Sequence, residues 1–178
     1  MSTFDACFAV VIGTEGGYTA DPADPGNWTG GACGVGECRG TKYGISAAAY
    51  PTKDIASLTV DQAKAIYLTD YWGRLGCGQF VPPLALIVFD AGVNAGVGRA
   101  AQWLQEAVGA TVDGAIGPET VGDVRSMGML RGWLDVCAMV LARRIAHYIT
   151  AGERPEFVLG IANRLARLPW QAMSVGVS

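Results

Sequence analysis

Glu15, Asp21 and Asp24 lie close together near the start of the chain, in the stretch Glu-Gly-Gly-Tyr-Thr-Ala-Asp-Pro-Ala-Asp-Pro-Gly-Asn-Trp-Thr over residues 15–29. Glu15 continues the helical i, i+3, i+4 stripe of Phe4, Phe8, Val11 and Ile12. A carboxylate that ends an apolar stripe is costly to ionise, so Glu15 is expected to hold its proton nearer neutrality. Gly16 and Gly17 are expected to stop the helix, since glycine readily takes the left-handed cap conformation. The loop behind them can then fold back towards Glu15. A protonated glutamate facing an ionised aspartate is the pairing that cleaves a glycosidic bond by acid catalysis. The same residues suit plainer roles: a glutamate before Gly-Gly is commonly a solvated surface residue, and aspartates in Asp-Pro turns cap their own backbone.

Other chemistries find less support. His147 is the single histidine, and no Gly-x-Ser-x-Gly elbow accompanies it for Ser-His-Asp catalysis. No Gly-x-Gly-x-x-Gly or phosphate loop occurs. Of the five cysteines, Cys7 and Cys137 fall on buried stripes of helical patterns and read as small core residues. Cys33 and Cys38 could close a loop disulfide or supply half a metal site, but no second cysteine pair follows, so no metal and no cofactor are expected. Free thiols are the expectation for a reducing cytosol. A formal net charge of −3 lacks the basic excess of a nucleic-acid binder, so no nucleic-acid partner is expected. The first residues carry Asp5 and no basic leader, and no apolar run reaches transmembrane length. Synthesis in a host cytoplasm without a signal peptide, and no membrane insertion, are the expectations.

The elements that must hold these residues are helices almost throughout, and 178 residues suit one domain or a main lobe with a smaller one packed on it. Ser2 or Thr3 can cap a first helix over about 3–14. A turn-rich loop with at most a small hairpin fills 16–45, and Ser46 can cap a short helix before Pro51. Thr59 and Gln62 form a capping box, with Leu58 stapled onto Ala63, for a helix reaching Trp72. Pro82-Pro83 opens a helix apolar nearly all round, with Asp90 and Asn94 as polar exceptions one turn apart. Further helices are expected over 99–108, from Pro118, over 129–148 as the longest, and over 155–167. Within the 129–148 helix, Leu130, Trp133, Leu134, Cys137, Val140, Leu141 and Ile145 share one face, and Arg143, Arg144 and His147 suit the C-terminal end of the dipole. The class is mainly α, with about seven or eight helices.

Taken in order, these motifs resemble glycoside hydrolase family 108, the N-acetylmuramidases of the lysozyme-like superfamily. The matching residues are Glu15-Gly-Gly-Tyr18, the loop from Asp21 to Gly26, Thr41-Lys-Tyr-Gly-Ile-Ser46, and Leu58-Thr59 through Tyr67 to Trp72. Phe89-Asp-Ala-Gly-Val-Asn94-Ala-Gly96, Leu104-Gln105 and Val112-Asp-Gly-Ala-Ile-Gly-Pro118-Glu-Thr120 resemble the peptidoglycan-binding segment that usually follows the muramidase part. The resemblance implies a catalytic part over 1–80 with the active-site loop 16–45, and a peptidoglycan-binding segment over 81–178, together one compact unit. Glu15 maps onto the family's catalytic glutamate. The eight-residue gap from Glu15 to Asp24 is that of phage lysozymes in the broader superfamily, but the threonine expected at position 30 is Gly30. An insertion carrying Cys33 and Cys38 separates the loop from Thr41, which is favoured over Thr29 as the cleft threonine. Near the end, Gly160-Ile-Ala-Asn163-Arg164 stands where family members often have Gly-Trp-x-Asn-Arg.

The implied reaction cleaves the β-1,4 bond from N-acetylmuramic acid to N-acetylglucosamine, with Glu15, Asp24 and Thr41 as catalytic residues. Asp21 is the alternative second carboxylate. Tyr18, Trp28 and Tyr43 can stack on sugars, whereas Trp72, Trp103 and Trp133 read as core. Asp90 and Asn94 either meet substrate or form a buried polar pair, and Gln102 and Gln105 either touch the wall or lie on the surface. The partner is the peptidoglycan glycan strand, met by a monomer in the periplasm after release by a holin it need not touch. Host lysis by a phage or prophage endolysin is the expected setting. The alternatives are a lytic transglycosylase, a muramidase assisting protein export, and a non-catalytic wall-binding module.

Overall fold

The computed structural model describes residues 1–13, 17–150 and 155–175. The helices are α1 (Thr3–Ile12), α2 (Val60–Tyr67), α3 (Pro82–Ala95), α4 (Val97–Val108), α5 (Pro118–Arg131), α6 (Trp133–Thr150) and α7 (Pro155–Val175). Strands β1 (Thr41–Lys42) and β2 (Ile45–Ser46) pair antiparallel, with Thr41 opposite Ser46. The expected class, a mainly helical lysozyme-like fold with a small hairpin, is the one observed. Two compact units result: Met1–Val11 with Leu68–Ser178, and Ile12–Tyr67.

In the first unit Ser2 and Asp5 cap α1 reciprocally. The Ser2 hydroxyl accepts from Asp5 N at 3.1 Å, and the Asp5 carboxylate accepts from Ser2 N at 3.2 Å. Phe4 then meets Phe8, Trp72 and Phe89 at ring-centroid distances of 5.8, 5.4 and 6.0 Å. Helix α3 is buried continuously from Leu84 to Gly92, and each of its large apolar side chains contributes about 1.5–3 kcal/mol by leaving water. Gly92 is fixed by contact, because a Cβ there would clash with Leu75 Cδ1. Cys7 and Cys137 are buried as expected, and burial pushes their thiols up to about 12 and about 11.

The second unit is mostly loop, closed by backbone hydrogen bonds and by α2. Thr59 and Gln62 form the expected capping box (2.9 and 3.2 Å), over a core that includes Ile45, Ile55, Leu58 and Tyr67. Tyr43 and Gly44, at φ +52° and +74°, make the turn between β1 and β2, as two-residue hairpins require. The Tyr67 hydroxyl donates to the Tyr43 carbonyl at 3.0 Å, and a Cβ on Gly44 would come within 2.6 Å of that hydroxyl.

Several expected boundaries move. Helix α1 stops at Ile12, and Gly13, at φ +65°, takes the stopping role expected of Gly16 and Gly17. Residues 47–49 make a turn rather than a short helix, although Ser46 Oγ does accept from Ala49 N. After Tyr67 the chain widens into a π-helical turn, Leu68–Gly73, which buries Trp72 and leaves Tyr71 half-buried. The expected helix over 129–148 is broken at Gly132, at φ +90°, because the Trp133 ring folds against Gly128. Leu130 therefore ends α5, exposed, and α6 buries Val136, Cys137, Val140 and Arg144 while Leu134 and Ile145 face out. The longest helix is α7, which runs through Pro169 to Val175. Burial of Leu168, Ala172 and Val175 offsets the cost of an internal proline, about 3 kcal/mol.

Candidate active site

The loop carrying the two aspartates is built from side-chain-closed turns. Asp21 Oδ1 accepts from Ala23 N at 2.9 Å, and the Asp21 carbonyl accepts from Asp24 N at 3.1 Å. Asp24 Oδ1 accepts from Gly26 N at 2.8 Å and so caps the single 3-10 turn Pro25–Asn27. Both carboxylates are exposed. The turn-capping role open to them in the sequence is thus realised, and it fixes the carboxylates without burying them. Trp28 Nε1 donates to the Pro22 carbonyl at 2.9 Å, which holds the indole beside this loop.

Asn27, which the reading of the sequence did not single out, ties the loop together. It is fully buried: its Nδ2 donates to the Asp21 carbonyl at 3.0 Å and its Oδ1 accepts from the Thr41 hydroxyl at 2.7 Å. Its carbonyl accepts from both Arg39 N and Gly40 N, at 2.9 and 3.0 Å. The available signal was composition: Asn27 is the only amide side chain between residues 16 and 45. A loop that folds on itself needs such a two-way hydrogen-bonding group.

The insertion over 29–40 closes on itself as a tight hairpin. Thr29 N donates to the Glu37 carbonyl and Glu37 N to the Thr29 hydroxyl, both at 2.9 Å, and Trp28 bridges to Cys38. The two candidate threonines therefore act differently: the Thr29 hydroxyl holds the insertion, and the Thr41 hydroxyl reaches Asn27. Cys33 and Cys38 are free thiols that contact the carbonyls of Ala23 and Ala20, at 3.4 and 3.7 Å, against the loop of Asp21 and Asp24. Thr41 also pairs with Thr19 (2.9 and 2.8 Å), bringing Tyr18 over Gly40, where a Cβ would lie 2.6 Å from the ring. Tyr18 is exposed and its hydroxyl donates to the Arg39 carbonyl at 3.3 Å. Tyr43 is half-buried, with Lys42 Nζ 5.5 Å from its ring centroid. Tyr18, Asp21, Asp24, Trp28, Thr29, Thr41 and Tyr43 thus all belong to the second unit. Glu15 lies outside the described residues.

Asp90 and Asn94 belong to the first unit and join a cation network there. Asp90, 3% exposed, binds Arg144 through Oδ2 (2.5 Å) and Arg164 through Oδ1 (2.6 and 2.7 Å). Asn94 Oδ1 accepts from Arg144 NH2 at 2.9 Å and from the Tyr148 hydroxyl at 2.5 Å. Arg144 is fully buried, and pairing with Asp90 replaces the helix-dipole role expected for it. Gln105 is also fully buried rather than on the surface. It donates to Asp113 Oδ1 and the Ala115 carbonyl and accepts from Asp113 N and Gly114 N, at 2.7–3.1 Å, which locks the Asp-Gly turn before α5. Among the described residues, no group of three or more His, Cys, Asp or Glu side chains is placed to hold a metal ion.

An exposed pair of turn-fixed carboxylates, bordered by aromatic rings and backed by a buried amide and a hydroxyl, suits a polar substrate rather than an apolar one. The family model of glycosyl hydrolase 108 matches residues 8–96, a span that contains this loop. No curated protein matches the chain. Among solved structures, that titled "Structure of Brucella abortus SagA" is similar with a TM-score of 0.80 and 26% sequence identity, over 99% of this chain and 97% of that one. The chain belongs to glycosyl hydrolase family 108, a family of peptidoglycan hydrolases.

Proposed function

We propose that the protein is an N-acetylmuramidase that hydrolyses the β-1,4 bond between N-acetylmuramic acid and N-acetylglucosamine in peptidoglycan. The observation that carries this reading is the family match over residues 8–96, which includes Glu15, Asp24 and Thr41. Glu15 is the general acid and protonates the glycosidic oxygen. Asp24 stays ionised and stabilises oxocarbenium-like charge or orients water. Its loop, fixed by the Gly26 N–H and by Asn27, holds that carboxylate in place before substrate arrives, so little reorganisation is needed at the transition state. The Thr41 hydroxyl donates to Asn27 and offers its oxygen lone pairs to a water or a sugar hydroxyl. Asp21, Thr29, Tyr18, Trp28 and Tyr43 line the glycan path, with the exposed Tyr18 and the half-buried Trp28 stacking on sugar rings.

Residues 81–178 act as the peptidoglycan-binding segment of this reading. The biological setting is an endolysin made in the host cytoplasm, released by a holin and active on periplasmic wall. Mass spectrometry of purified peptidoglycan digested with wild type and with Glu15→Gln tests the chemistry directly. The expected result is reducing muramic-acid ends from wild type and none from Glu15→Gln. Anhydro-muramic ends would replace hydrolysis by lytic transglycosylation, and undiminished cleavage by Glu15→Gln would remove Glu15 from the mechanism.

A further inference from the structure

Among the described residues of the second unit, Asn27 carries the only fully buried amide side chain. The direction of its two side-chain hydrogen bonds is forced. The Asp21 carbonyl can only accept, so the edge of the amide that faces it, at 3.0 Å, is the NH2 group. The other edge, Oδ1, has lone pairs alone, so the Thr41 hydroxyl must give it its single proton, at 2.7 Å. Turning the amide over would set two acceptors against each other at Asp21 and cost both bonds. The backbone of Asn27 is held as firmly: its N–H donates to the Asp24 carbonyl at 3.1 Å, and its carbonyl accepts from Arg39 N and Gly40 N. The amide therefore has one orientation, and it passes that orientation on to Thr41.

The consequence lies at the Thr41 oxygen. Thr41 is half-buried, and among the described residues no donor reaches that oxygen. An unconstrained threonine hydroxyl donates or accepts as it rotates. This one has spent its proton on Asn27, so towards anything else it can only accept. Asn27 itself is fully buried and meets no substrate. We propose, on the muramidase reading of this site, that Asn27 is a positioning residue for the hydrolysis. It acts through Thr41, fixing that hydroxyl as an acceptor for a proton of the water or sugar hydroxyl it binds. A polarity set before substrate arrives removes the competing orientations of the hydroxyl from the transition state.

Initial rates on soluble peptidoglycan glycan strands, with urea unfolding alongside, test this for Asn27→Ala, Asn27→Asp, Thr41→Val and the combination of Asn27→Ala with Thr41→Val. Asn27→Ala is expected to lower kcat about tenfold, with KM changed less than about twofold. In the Thr41→Val background the same substitution is expected to cost no more than about threefold, because the hydroxyl through which it acts is gone. Asn27→Asp keeps an acceptor for Thr41 and loses the NH2 donor to Asp21. Its kcat is expected within about threefold of wild type, although its stability in urea falls at least as far as that of Asn27→Ala. A residue that served the fold alone would rank the two variants by stability and leave kcat of the folded protein untouched. Equal losses in both backgrounds, or Asn27→Asp as slow as Asn27→Ala, overturns the proposal. Glu15→Gln in the same assay separates the two levels. If it cleaves as wild type does, the muramidase reading and the role of Asn27 fall together; if it is inactive while the Asn27 and Thr41 losses multiply, only the role of Asn27 falls.

Discussion

Replacing Asp90 by Asn removes the one negative charge from a cluster that holds two guanidinium groups. Arg144 is fully buried and Asp90 3% exposed, with Oδ2 on Arg144 NH1 and Oδ1 on Arg164 NH2 at 2.5 and 2.6 Å. Arg144 Nε already lacks a hydrogen-bond partner, so that N–H finds no acceptor to make up for the lost carboxylate. Breaking a buried pair and stranding one charge costs about 3–5 kcal/mol. The Arg164 half adds at most about 1 kcal/mol, because that side chain is 36% exposed and water screens it. At this chain length each kcal/mol lowers Tm by about 2–4 °C, so Asp90→Asn is expected to unfold about 6–24 °C below wild type. Far-UV circular dichroism on heating, with urea unfolding at pH 7, measures the loss. Arg164→Ala should cost far less. Asp90→Leu combined with Arg144→Met should recover most of the deficit, since a well-packed apolar replacement of a buried pair is often neutral or better. A shift under about 2 °C for Asp90→Asn, or a double variant as unstable as the single one, would refute the claim that stranded buried charge sets the cost.

Asn27→Ala should leave the Asp21 carbonyl and the Thr41 hydroxyl without partners and destabilise the chain by about 2–4 kcal/mol. A double-mutant cycle with Thr41→Val should give coupling of about 1 kcal/mol, and strict additivity would count against the Asn27–Thr41 bond. At Asp113, the Ala115 N–H and then the Gln105 side chain hold the carboxyl below its ordinary value of 3.8. Its folded pKa is therefore depressed relative to the unfolded chain. The stabilisation it gives is present above about pH 4 and is lost as pH falls through the folded value. Asp113→Asn keeps an acceptor for Ala115 N but cannot titrate, so the stability gap between wild type and this variant should narrow as pH falls from 5 to 2. Urea unfolding across that range measures it, and a gap that widens with acid would reverse the sign assigned here.

The helices that the sequence announced most clearly are those with local start signals. Thr59 and Gln62 begin α2, and Pro82-Pro83 begins α3, because capping and proline geometry are decided within one turn of chain. The errors fall where tertiary contact overrules local preference. Pro169 reads as a stop, yet buried Leu168, Ala172 and Val175 carry α7 past it. Apolar periodicity runs across Gly132, yet the Trp133 ring needs Gly128 and forces a break. Arg144 reads as a C-terminal cation, and only the packing of α3 against α6 reveals that its partner is Asp90, 54 residues away. Buried polar residues are the least legible class in this chain, because a sequence gives their type but not the group that satisfies them. Asn27 and Gln105 are the same case.

The insertion after Asp24 shows how such partners close a loop that linear spacing obscures. The spacing of phage lysozymes in the broader superfamily would place a threonine at position 30, where this chain has Gly30, and Thr29 is the near neighbour. The hairpin over 29–40 consumes the Thr29 hydroxyl internally and returns the chain to its starting point, because the Asn27 carbonyl accepts from both Arg39 N and Gly40 N. Thr41 therefore follows Asn27 in space as closely as an uninterrupted loop would place it, and its hydroxyl reaches Asn27 Oδ1. The added residues lengthen the path without moving its ends, so the loop of Asp21 and Asp24 keeps its anchor and gains Cys33 and Cys38 behind it. Tolerance of the insertion rests on that closure rather than on flexibility. On this reasoning, Gly40 is the residue where closure is least able to absorb change. It sits at φ +80° with the Tyr18 ring and the Thr19 carbonyl against the position a Cβ would take. Any side chain there would have to displace the Tyr18 ring or the Thr19–Thr41 bridge that holds Thr41 within reach of Asn27.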